Sequence, residues 1–177
     1  MAKKVSNKEY LDAWREFCEN MDNATPIDLT ESHGAKLRRI AHLAKNPEEW
    51  FKYYFPNYYT SEPAEFHIKA TKRVLANAEW YEVRSWAREL SKSGRTMMEV
   101  LYLAMTEKKK NILLISNSAD NAERLLLPYK GILERNNRII ADHGVKKRVG
   151  SWRARVGSED YHRRRDHKNK KNSPNSS

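Results

Sequence analysis

The chain has 177 residues, 39% of them hydrophobic and 32% charged, with a net charge of +11 and a pI near 9.7. That length suits one domain with tails, and the charge favours an anionic partner such as nucleic acid or phosphate over a merely basic solvated surface. Cys18 is the single cysteine, which excludes an internal disulfide and a cysteine-based metal site, and no stretch has the ~18 apolar residues of a membrane span or the apolar core of a signal peptide, so a soluble protein of a reducing cytosol is expected.

Residues 7–20 read as a helix with Leu11, Trp14, Phe17 and Cys18 on one stripe, broken at Asn23-Ala24-Thr25-Pro26. A second helix is expected from Thr30 to Ala44, with Leu37, Ile40, Ala41 and Ala44 on one face. Asn46-Pro47-Glu48-Glu49 is a helix-start signal, and the aromatic segment that follows stops at Pro56. Its rings and Tyr58 and Tyr59 suit core packing better than base stacking. Residues 63–77 read as a helix with Phe66, Ala70 and Val74 aligned. Tyr81 to Trp86 alternates like a strand, residues 93–108 are helical with Lys108-Lys109-Lys110 in the last turn, and Ile112-Leu113-Leu114-Ile115 resembles a buried parallel strand. Residues 119–136 are helical again, with Pro128 placed to kink them. The order predicts an α/β fold: a helical N-terminal region followed by a partial P-loop NTPase-like parallel sheet (βαβ). The divisions expected are an N-terminal helix or arm over 1–25, a helical region over 26–78, a partial ATPase core over 79–150 and a disordered basic tail over 151–177. From Ser151 onward eight basic residues face three acidic ones.

The segment Trp86-Ala87-Arg88-Glu89-Leu90-Ser91-Lys92-Ser93 falls between an expected strand and an expected helix. A phosphate loop belongs there, because a helix N-terminus offers free N–H groups and positive dipole. Lys92 and Ser93 match the end of the G-x-x-x-x-G-K-[ST] pattern, while Trp86 and Ser91 replace its glycines. In that role Lys92 neutralises phosphate oxygens, Ser93 offers its hydroxyl to Mg²⁺ and Arg88 reaches the terminal phosphate. The alternative for the same residues is a solvated loop.

Arg88-x-x-Ser91-Lys92-Ser93 resembles the deviant Walker A loop of phage terminase large subunits. Asn111 to Leu126 is similar to the next strand and helix of that family, and Leu133 to Asn136 with Ile139-Ile140 continues the likeness. Upstream, Tyr54-Phe55-Pro56 and Pro63 to His67 are similar to the segment before its ATPase core. The resemblance covers roughly residues 50–150 and rests on order and spacing. It implies ATP and Mg²⁺ as cofactors, Phe66 and His67 near the adenine, double-stranded DNA, a portal and a small terminase subunit as partners, and the cytoplasm of a bacterial host. The function implied is the front part of an ATP-driven motor for packaging viral DNA into capsids.

No apolar strand ending in paired acids follows residue 140, so Walker B, the catalytic carboxylate and the nuclease domain of that family are missing from this sequence. A frameshift, a premature stop or natural brevity with a DNA-binding tail are the expectations this raises, and ATP hydrolysis by the chain alone is not expected. The competing reading is a non-enzymatic DNA-binding or interaction protein that uses Arg163, Arg164 and Arg165 on phosphates. A small kinase or another P-loop enzyme fits less well, because such enzymes keep the loop glycines.

Overall fold

The computed structural model describes residues 7–144, which form seven helices: α1 (Asn7–Ala24), α2 (His33–Leu43), α3 (Pro47–Tyr54), α4 (Glu65–Ala76), α5 (Lys92–Met105), α6 (Ala119–Arg135) and α7 (Asn137–His143). Local chemistry sets most of the ends. Just past α1 the Thr25 hydroxyl donates to the Met21 carbonyl at 2.8 Å and accepts the Asn137 N–H at 3.1 Å, so the end of α1 is tied to the start of α7. Asp28 takes both the N–H and the hydroxyl of Thr30 in a turn, and α2 therefore starts at His33, capped by Ser32, rather than at Thr30. The face foreseen for α2 is rotated: Leu37 and Ala41 are exposed and Leu43 is buried. Pro47 opens α3 as its sequence signal predicts. The Asn136 side chain caps α7, accepting the Ile139 N–H at 3.0 Å and donating to the Tyr54 carbonyl at 2.6 Å.

The expected α/β architecture is overturned. Among the described residues there is no strand, hence no βαβ unit and no P-loop NTPase-like parallel sheet. Residues 81–86 and 112–115 take no regular secondary structure, although their side chains do alternate between half-buried and exposed. The alternation, however, reports a chain lying on one surface. A strand also needs a neighbour to accept and donate its backbone hydrogen bonds, and neither segment finds one among the described residues. Tyr81, Val83, Leu113 and Ile115 stay between 72% and 88% exposed as a result. The lysine run also moves: α5 ends at Met105, and Lys108 and Lys109 lie beyond it, donating to the Tyr102 hydroxyl and the Ala78 carbonyl. The expected disordered tail, 151–177, lies outside the described residues.

One apolar core takes buried side chains from every helix except α4, whose half-buried Leu75 packs against it. Its centre is aromatic. Trp50, Phe51, Tyr54 and Phe55 are no more than 1% exposed, and Tyr102 meets Trp50 edge-on at 5.3 Å and Phe51 at 6.0 Å. The aromatic segment is thus core. Helices α1 and α6 meet at Gly131, where a Cβ would stand 2.5 Å from the Phe17 ring and 2.8 Å from Trp14. There the close approach, not backbone freedom, requires glycine. No helix among the described residues is long and apolar enough to cross a membrane.

Asp142 fastens α7 to α2 and α3. Its side chain, 2% exposed, accepts from Arg39 at 2.6 and 3.1 Å and from the Tyr54 hydroxyl at 2.7 Å, with Lys36 at 3.7 Å. Burial alone raises its pKa, but the bonds from Arg39 and Tyr54 outweigh burial and hold it below the ordinary value. A depressed carboxylate stabilises above its unfolded pKa and loses that contribution as pH falls through the folded one. Asp142→Asn is expected to lower the unfolding free energy at pH 7 by about 2 kcal/mol and to converge with wild type as pH falls below the depressed folded pKa, as read by urea unfolding across pH.

Candidate functional site

The segment singled out in the sequence forms an exposed loop that ends in the first turn of α5. Two of its residues, neither of them glycine, adopt left-handed backbone: Glu89 at φ 68° and Ser91 at φ 49°. Each such conformation costs about 1 kcal/mol or more for a residue with a Cβ. Ser91 stands where the usual pattern has its second glycine, so the backbone shape that glycine favours is kept without glycine. Ser91 is the N-cap of α5, and its side chain makes no capping bond. The Arg95 N–H closes the first helical turn onto the Ser91 carbonyl at 2.8 Å. The amides of Lys92, Ser93 and Gly94 precede that turn and meet no acceptor among the described residues.

Lys92 curls back over the loop, its Nζ donating to the Trp86 carbonyl at 3.3 Å. Ser93 and Arg88 are exposed. The four phosphate-site candidates, Arg88, Ser91, Lys92 and Ser93, are all exposed, in the loop and the first turn of α5. Glu89 counts against an anion there, since it places a carboxylate within the same loop. Ser93 offers one oxygen to a cation, and the described residues hold no cluster of three or more His, Cys, Asp or Glu side chains suited to a metal. A Mg²⁺ ion at this loop fits only if the phosphates bring it, as that ion commonly requires.

Phe66 and His67 lie beside the loop, as the adenine role requires. The Phe66 ring, 40% exposed, meets Trp86 edge-on at 5.2 Å, and His67 meets it at 4.9 Å. His67 is otherwise engaged: Nδ1 accepts the Ala64 N–H at 3.1 Å and Nε2 lies 3.0 Å from the Leu90 carbonyl. Neither ring nitrogen is left for a base, whereas the exposed Phe66 face is. Arg163, Arg164 and Arg165 lie outside the described residues.

The sequence reading missed what fixes the loop from below. Arg84, two residues before Trp86, pairs with Glu99 of α5 at 2.8 Å, donates to Thr96 at 3.3 Å and stacks 5.2 Å from the Trp86 ring. Glu99 also accepts from the Thr71 hydroxyl of α4 at 2.5 Å. Arg95 donates from Nε to Thr71 at 2.9 Å and forks onto Glu48 of α3 through its two terminal nitrogens. The side chains of Arg84, Arg95 and Glu99 are 9%, 4% and 4% exposed. The i, i+4 spacing of Arg95 and Glu99 was the available signal, but a charged pair on a helix ordinarily reads as a solvated face.

Comparison with known proteins finds no family model, no curated protein and no solved structure that matches this chain.

The left-handed Ser91 generates a prediction of its own. Ser91→Gly relieves the φ strain and removes no capping bond, so the unfolding free energy is expected to rise by about 0.5–1 kcal/mol in a denaturant titration.

Proposed function

We propose that this chain is the front part of a terminase-like DNA-packaging motor, and that its loop over residues 86–93 binds the phosphates of ATP together with Mg²⁺. The observation that supports the reading is the left-handed Ser91 at the position of the pattern's second glycine, followed by Lys92–Gly94 amides that meet no acceptor among the described residues. Lys92 supplies the cation and Arg88 a second, Ser93 orients the phosphate-bound Mg²⁺, and Phe66 offers a face to the base. The reading stands on the loop–helix junction and not on a sheet. Double-stranded DNA, a portal, a small terminase subunit and a bacterial cytoplasm follow from the resemblance of residues 50–150 to that family. Lys92→Ala is expected to weaken Mg·ATP binding at least 10-fold, measured by calorimetry on the full chain, because it removes a charge-assisted contact of about 1.5–3 kcal/mol. Equal affinity in both proteins contradicts the reading.

The charge distribution favours a second reading, DNA binding through the C-terminal residues. Residues 7–144 carry 21 Lys and Arg against 20 Asp and Glu, whereas residues 145–177 carry 11 against 3. The described body is therefore nearly neutral, and the surplus of the chain lies almost wholly beyond it. Deleting 145–177 is expected to abolish DNA retention in a filter-binding assay at low salt, and the full chain is expected to lose affinity steeply as salt rises. Unchanged binding after deletion places the DNA contact on the helical body instead.

A further inference from the structure

His67 carries an inference that rests on the phosphate reading and deepens it. We propose that His67 is a positioning residue that clamps the phosphate loop, rather than a contact to the base. Its Nδ1 accepts the Ala64 N–H at 3.1 Å, so that nitrogen bears no proton. The neutral ring then carries its proton on Nε2, which donates to the Leu90 carbonyl at 3.0 Å. One tautomer satisfies both bonds, and each bond fixes the other. Two rings flank it, Phe66 with its centroid 4.1 Å away and Trp86 crossing it at 82°.

What the clamp holds matters more than its strength. The Leu90 carbonyl belongs to the rigid peptide plane that also carries the Ser91 N–H. Pinning that oxygen sets the plane immediately before the left-handed Ser91, and Ser91 in turn aims the open amides of Lys92, Ser93 and Gly94. The clamp comes from α4, 23 residues upstream, and so ties the loop to the helix whose Thr71 enters the buried charge network under α5. Residues 86–90 make no backbone–backbone hydrogen bond among the described residues, and side chains hold the loop instead, Lys92 at the Trp86 carbonyl and His67 at the Leu90 carbonyl.

The test uses the full chain as wild type, His67→Phe and His67→Gln, with two probes: Mg·ATP, and Mg·tripolyphosphate, which has no base. Affinities are read by calorimetry, and loop rigidity by amide hydrogen exchange over residues 88–94 without ligand. His67→Phe keeps the ring packing and loses the donor. It is expected to weaken both probes equally, by roughly 3- to 10-fold, the equivalent of one hydrogen bond, and to speed exchange in the loop. His67→Gln keeps an N–H donor and is expected to return to within about twofold of wild type. Weakened ATP with unchanged tripolyphosphate means a base contact and overturns the proposal. Wild type that binds both probes, with His67→Phe changing neither affinity nor exchange, overturns this role alone. Wild type that binds neither probe overturns the phosphate reading and the clamp together.

Discussion

The charge network of Thr71, Arg84, Arg95 and Glu99, buried except where Arg95 forks onto the half-buried Glu48, is the constraint on which the rest of the structure depends. Two cations and two anions balance there, and Thr71 relays between them by accepting from Arg95 and donating to Glu99. Burying such groups costs several kcal/mol each, and only a complete set of partners offsets that. Removing one partner strands the others, at about 3–5 kcal/mol, which is a large share of the stability a small domain has. The network therefore forces α3, α4, α5 and the segment through Arg84 into one arrangement. The aromatic core alone leaves that choice open, because packing of Trp50, Phe51 and Tyr102 is less directional than an ion pair. Arg95 links the two, lying 4.9 Å from the Phe51 ring while it forks onto Glu48.

The loop inherits its position from this network. Arg84 holds the entering segment against α5, and His67 holds the leaving segment against α4. Between these anchors the chain turns through two left-handed residues and enters α5 with its first amides open. This is how a loop without glycines and without a paired strand presents a helix N-terminus to solvent. The arrangement has a cost on its outer side. Tyr81, Val83, Leu113 and Ile115 remain exposed, because the segments that carry them are covered on one face only.

Much of the helical frame was legible in the sequence. Asn46-Pro47 marked the start of α3, the spacing of Met97 and Leu101 marked the inner face of α5, and Trp14, Phe17 and Cys18 marked that of α1, whereas Leu11 of the same stripe is exposed. These are local signals, and helices are built from local bonds. The two apolar segments, at 81–86 and 112–115, were misread because alternation is local whereas pairing is not. No pattern in a single segment reveals whether a neighbour exists. The burial of Arg95 and Glu99 was hidden for a related reason: their partners Glu48, Thr71 and Arg84 are scattered from residue 48 to residue 84, and only the fold assembles them. Of the candidate site, the position of the loop at a helix start was readable from Ser91-Lys92-Ser93. The left-handed turn at Ser91 was not, since serine rarely adopts it, nor was the engagement of both nitrogens of His67.

The most direct test of the account is a residue-resolved amide NMR titration of the full chain with Mg·ATP. The account predicts saturable shifts concentrated on the amides of Lys92, Ser93 and Gly94, with smaller ones at Arg88 and Phe66. Shifts that saturate elsewhere on the chain, or an unchanged spectrum at millimolar nucleotide, contradict it.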